Sequence, residues 1–203
     1  MARTQRQRSE ETVAGLLDAC IGTIIEVGYA RASAALIAKR AHVSDGALFR
    51  HFPTMRELMA ATLREAGRRQ LELYTSRIAN IPAETQGPEA VLRILRDITH
   101  NPTNGVIYEL LVAARTDEKL RGLLRDEIDL YQQKIFDAAK SVPTDGLDDL
   151  DAEDFGAMVT VLINAFDGAA IFQDVLSHSA VVEQRRITLL TSLLSATRPG
   201  QGQ

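Results

Sequence analysis

Three hydroxyl residues, Ser33, Ser44 and Thr54, each open a segment whose apolar residues recur at helical spacing. A hydroxyl at a helix start accepts a hydrogen bond from a free backbone N–H. The helix start itself offers amides and a positive dipole end to phosphate oxygens. Between the second and third of these hydroxyls lie Asp45, Gly46, Ala47, Phe49, Arg50 and His51. Those residue types suit the edges of base pairs in a DNA major groove, where arginine can bond guanine O6 and N7 together and a small apolar side chain can meet a thymine methyl. We expect Arg50 to take a guanine, Ala47 a thymine methyl, and Asp45 or Ser44 a nearby donor, each contact worth about 1–3 kcal/mol. Gly46 would let the backbone come close to the groove.

Other chemistry finds little support. The four histidines, His42, His51, His100 and His178, have no metal-ligand spacing, and neither a nucleophile elbow nor a phosphate-binding glycine loop is present. Cys20 falls on the apolar face of its helix, and one cysteine cannot form an internal disulfide. The acidic run Asp145, Asp148, Asp149, Asp151, Glu153, Asp154 lacks an EF-hand register, so capping by Asp151 and a solvated loop explain it better than a metal. No catalytic residue, metal or cofactor is expected. Residues 155–172 are apolar almost all round, but Asn164 and Asp167 interrupt them and the upstream flank is acidic, which favours a protein-buried helix over a membrane span. With no apolar signal core at the N-terminus, the expected compartment is the cytoplasm.

Net charge separates the chain into two regions. Residues 1–70 hold 11 Lys/Arg against 7 Asp/Glu, whereas residues 71–203 hold 12 against 20. A basic head on an acidic body is what a phosphate-contacting module joined to a module without that role would show.

The elements that must position the hydroxyls and Arg50 are helices throughout. Few aromatics, no Trp and abundant Ala and Leu predict an all-α protein. Ser9, followed by Glu10 and Glu11, starts a first helix that carries Val13, Leu16, Leu17, Cys20, Ile24 and Val27 inward and stops at Gly28. Ser33 caps a second helix through Ala41, with Leu36, Ile37 and Ala41 as its inner face. After a turn at His42 and Val43, Ser44 caps a third from Asp45 to about His51, and Pro53 forbids its continuation. Thr54 and Glu57 form a capping box that opens a connecting helix over 54–79. Within this unit, Ala38 allows a close helix crossing, Val43 plugs the turn and Leu48 anchors the third helix from beneath. Further helices are predicted over 88–99, 106–114, 117–140, 152–176 and 179–196.

The stretch Ser33 to Leu58 resembles the N-terminal domain of the TetR family of repressors. The elements that carry the likeness are Ile37-Ala38, Ala41, Val43-Ser44, Gly46, Leu48-Phe49, His51-Phe52 and Leu58, with Gly28-Tyr29 before them. The resemblance implies a three-helix helix-turn-helix domain over 1–55, joined by the 54–79 helix to a ligand-binding and dimerisation domain over 80–203. It also implies a regulator, ligand-responsive and repressing, that binds a palindromic operator in double-stranded DNA as a homodimer, with His51 donating to phosphate. Two residues depart from the pattern. Phe49 stands where members usually carry tyrosine, which removes a hydroxyl from the phosphate contacts. Met55 stands where a lysine commonly meets the backbone, leaving Arg56 as the neighbouring candidate. Arg3, Arg6 and Arg8 are candidates for a basic arm along the minor groove.

In the C-terminal part, the apolar 152–176 helix must bury on two sides, and the last helix carries a matching face. The expected dimer interface comprises Phe155, Val159, Phe172, Ile187, Leu190 and Leu194. Small residues at Gly156, Ala157, Ala165, Gly168 and Ala169 would let a partner helix approach. The family likeness also implies a cavity for an unidentified small-molecule effector. Its expected lining is Ile98, Tyr108, Leu111, Met158, Leu162 and Phe166, together with Ile94 and with Asn164, Asp167 or His100 as polar anchors.

Overall fold

The computed structural model describes residues 4–142, 150–173, 175–176 and 180–196. Among them are only helical elements and the turns between them: α1 (Gln5–Val27), α2 (Ala34–Arg40), α3 (Asp45–His51), α4 (Met55–Ala79), α5 (Pro88–Thr99), α6 (Pro102–Ala114), α7 (Glu118–Lys140), α8 (Ala152–Phe172) and α9 (Ala180–Ala196). The protein is all-α, as its composition predicts. Helix ends fall where local chemistry fixes them. Ser33 and Ser44 cap α2 and α3, and Thr54 and Glu57 form both halves of a capping box at the start of α4. Asp151 caps α8 through the Glu153 and Asp154 amides, at 3.0 and 2.9 Å. The acidic residues 145, 148 and 149 lie outside the described residues.

Some boundaries differ from expectation. Helix α1 begins four residues before Ser9, because Thr4 and Gln7 form a capping box of their own. Arg6 and Arg8 are therefore helical rather than part of an arm, and Arg6 pairs with Glu10; Arg3 lies outside the described residues. Helix α6 starts at Pro102 and α8 ends at Phe172.

The chain forms two compact units, Met1–Arg69 with Pro102–Tyr131, and Gln70–Asn101 with Gln132–Gln203. Helix α6 and the first part of α7 thus belong with the N-terminal head instead of the body expected over 80–203. Burial and charge explain this. In the first unit, Leu16, Cys20 and Ile24 of α1, Ile37 and Ala38 of α2, Leu48 of α3 and Leu58 and Leu63 of α4 share one core with Val106, Ile107 and Leu110 of α6 and Leu120 and Leu124 of α7. Ion pairs Arg56–Asp117 and Arg64–Glu127 link α4 to α7 and its preceding residue. Burying hydrocarbon of this kind contributes about 25 cal/mol per Å² removed from water.

Gly28 shows why that position of the family pattern holds glycine. It ends α1 at φ +80°, donating to Ile24 O at 2.8 Å, and a Cβ there would sit 3.4 Å from the Glu109 carboxylate. The same carboxylate accepts the Tyr29 amide. Gly28→Ala is expected to destabilise the protein by about 1–3 kcal/mol, because φ +80° with ψ 159° is a conformation open essentially to glycine alone, read as a lower urea midpoint.

In the second unit, α5 packs against α8 and α9. Leu92, Phe155, Val159, Leu162, Phe166, Ile187 and Leu194 form its core. Among the described residues, α8 alone is long and apolar enough to cross a membrane by length and composition. One stripe of it, Phe155, Val159, Leu162, Phe166 and Ala169, is buried within the unit.

Candidate nucleic-acid interface

Helix α3 is seven residues long and turns about 100° per residue, so one buried side chain fixes the direction of the rest. Leu48 is that residue, at 0% exposure. Gly46 and Arg50 then point almost directly away from the core, with Ala47 on one flank and Phe49 on the other. Exposure agrees with this placement: Gly46, Phe49 and Arg50 are exposed, and Ala47 and His51 are half-buried. Asp45, although exposed, sits on the core-ward side in this geometry.

The three hydroxyls are where the sequence places them. Ser33 Oγ accepts from Leu36 N at 3.4 Å, Ser44 Oγ from Ala47 N at 3.2 Å and Thr54 Oγ1 from Glu57 N at 3.2 Å. Each oxygen acts as an acceptor in its cap, which leaves the hydroxyl proton for an outside acceptor. The turn before α3 holds its shape through Val43 N donating to Ala38 O at 3.0 Å, with His42 at φ +56°. Ala38 is buried where α1 and α2 meet, and Val43 packs on the core. Leu36 differs from expectation. It is exposed, because Ile37 and Ala38 take the inward side of α2.

Cations around the head fall into two groups. Arg40 pairs with Glu26, and Arg69 with both Asp18 and Glu65. The two guanidinium partners, Arg68 first, hold the Glu65 carboxyl down to about 2. Arg56 donates to both carboxylate oxygens of Asp117, at 3.2 and 2.8 Å, and that carboxylate also accepts Leu120 N at 2.9 Å. The Leu120 N–H and then the Arg56 guanidinium hold the Asp117 carboxyl below the usual carboxylate range. Arg56 is thus committed within the protein, which the sequence could not reveal. Arg50 makes no ion pair among the described residues.

The remaining candidates lie elsewhere. Cys20 is fully buried against Met59, at 4.0 Å between sulfurs, and burial pushes its thiol up to about 11, so it serves packing. Tyr108 and Leu111 belong to the first unit; Ile98, Met158, Leu162 and Phe166 belong to the second. Leu162 and Phe166 are core, with Met158 packed on them, and Leu111 packs on the first core. Tyr108 accepts from Asn104. Asn164 is exposed, so it anchors nothing inside; His100 caps the end of α5, its Nδ1 2.8 Å from Arg96 O. Of the six residues expected at a dimer interface, Phe155, Val159, Ile187 and Leu194 are in the protomer's own core and Leu190 packs against it. Phe172 alone of the six is exposed. Among the exposed residues of the same two helices, the sequence points to Ala157, Gly168 and Phe172 but not to Val161, Leu189 or Leu193, because both faces of α8 are apolar.

Comparisons with known proteins agree with this geometry. Residues 16–62 match the family described as bacterial regulatory proteins, tetR family. The uncharacterised HTH-type transcriptional regulator Rv2912c of Mycobacterium tuberculosis is 57% identical over 196 residues, covering 97% of this chain and 99% of its own. The HTH-type transcriptional regulator CymR of Pseudomonas putida is 29% identical over 83% of this chain and 82% of its own. Among solved structures, the multidrug binding protein EbrR in complex with imidazole shares the fold at a TM-score of 0.68 and 20% identity, covering 94% of this chain and 96% of that one. With its turn, its caps and a near full-length relative all in agreement, the chain belongs to the TetR family, as a helix-turn-helix DNA-binding transcriptional regulator.

Proposed function

We propose that the chain acts as a homodimeric, ligand-responsive repressor that lays α3 of each subunit in the major groove of a palindromic operator. The observation that carries this reading is Arg50: an exposed guanidinium at the centre of the outward side of α3, with no carboxylate partner among the described residues. A guanine edge would satisfy two of its donors at once. Around it, the Ser33, Ser44 and Thr54 hydroxyls would donate to phosphate and set the register, with His51 as a further phosphate donor. Arg40, Arg56, Arg64 and Arg69 of the head pair with carboxylates of the chain, whereas Lys39 and Arg31, like Arg50, make no ion pair among the described residues and would add phosphate contacts that salt weakens.

Dimerisation is supported by what α8 and α9 leave uncovered. Ala157, Val161, Gly168 and Phe172 of α8 and Val182, Leu189 and Leu193 of α9 are exposed at helical spacing. Val161 is 57% and Leu193 59% exposed. Small residues between larger ones suit a close helix crossing with a second copy. The effector is a proposal by likeness, since EbrR is described as a multidrug binding protein.

Selection of binding sites from a pool of random duplexes tests the reading. The expected product is an inverted repeat whose half-sites lie about 34–36 Å apart, one helical turn. No enrichment, or a single unrepeated site, would contradict it.

Gly46 supplies a second check. A Cβ there meets only Ser44 Oγ, at 4.0 Å, so the fold does not require glycine. Gly46→Ala is expected to raise stability by up to about 1 kcal/mol through helix propensity. It should nonetheless weaken operator binding by about 1–3 kcal/mol, the worth of one base contact. Thermal unfolding and a binding titration on the same sample measure the two together.

A further inference from the structure

Phe49 is 41% exposed and belongs to neither core cluster, so its ring is not what holds α3 in place. That work is done by Leu48. Between the two flanks, the outward residue Gly46 offers no side-chain polar atom, Ala47 on the opposite flank offers none either, and Arg50 supplies the donors. A phenyl ring can neither donate to a phosphate nor bond a base nitrogen or oxygen. Within a major groove, one feature rewards an apolar side chain, the C5 methyl of thymine. We propose that Phe49 reads a thymine methyl next to the guanine taken by Arg50, so that the residue departing from the family's tyrosine sets sequence preference where a hydroxyl would bond the backbone. This inference rests on the reading of α3 as the DNA-contacting helix.

Its test replaces thymine by uracil, one position at a time, in a duplex selected by the wild-type protein. Uracil lacks the methyl and keeps the pairing, so any loss belongs to that group. The expected result is a position at which wild-type affinity falls about fourfold per half-site, the effect of exposing one buried methyl. Phe49→Ala should bind the thymine and uracil duplexes equally at that position, and Phe49→Tyr, which keeps the ring, should still discriminate. The unfolding midpoint of each variant confirms that it is folded. Uracil without effect at every position, or a loss that is equal in wild type and Phe49→Ala at every sensitive position, overturns the inference while leaving α3 at the DNA. A wild-type protein that selects no sequence overturns the reading of α3 and this inference together.

Discussion

Arg50→Ala is expected to remove the preference for guanine at one position of each half-site while leaving the protein folded and its assembly unchanged. A two-pronged arginine–guanine contact is worth about 1–3 kcal/mol, so two half-sites lose roughly 2–6 kcal/mol, at least about thirtyfold in affinity. Stability should move by less than about 0.5 kcal/mol, because the side chain is exposed and no carboxylate is left unpaired by its removal. Titration of a labelled operator and of a scrambled duplex at one fixed salt concentration separates the terms: the operator should weaken by at least about thirtyfold, and the scrambled duplex by far less. Sedimentation should show the same assembly as the wild type. Equal loss of assembly and of DNA binding would place Arg50 in the architecture instead.

Phe166→Ala is expected to produce the largest change in stability, about 3–5 kcal/mol. Phe166 is 0% exposed, among the largest fully buried side chains, and sits in the core of the second unit with Phe155, Val159, Leu162 and Ile187. Truncating a ring in such surroundings leaves a void that closely packed neighbours fill only in part. The family likeness makes the same residue a candidate for the effector cavity, and the two roles differ in their consequences. A core ring unfolds the protein at lower urea when removed, whereas a ring facing an open cavity would cost little and alter ligand binding. A urea midpoint within error of the wild type would reject the core role.

What could be read in the sequence depended on how local its cause was. The bounds of α3 follow from the Ser44 cap and from Pro53, and the structure has them as read. The inward turn of Leu48 follows from its spacing against Ala38 and Val43. The start of α1 was hidden because Thr4 and Gln7 lie in a polar stretch where periodicity is silent, and the Ser9 signal was the louder one. The grouping of α6 with the head depends on contacts across many residues, such as the Glu109 carboxylate with the Tyr29 amide 80 positions away, and no local pattern encodes them. The commitment of Arg56 to Asp117, 61 positions on, has the same origin. In α8, apolar residues run around the whole helix, so the inward stripe of Phe155, Val159, Leu162 and Phe166 could not be told from the outward one of Ala157, Val161 and Phe172 before packing was known.

The claim beneath all of this is that α3 approaches DNA from the major groove. Methylation interference on the selected operator tests it most directly, because dimethyl sulfate marks guanine N7 in the major groove and adenine N3 in the minor groove. Methyl groups at guanine N7 in each half-site should abolish binding, and those at adenine N3 should be tolerated. Interference confined to adenine N3, or none at any guanine of the half-sites, would contradict the account.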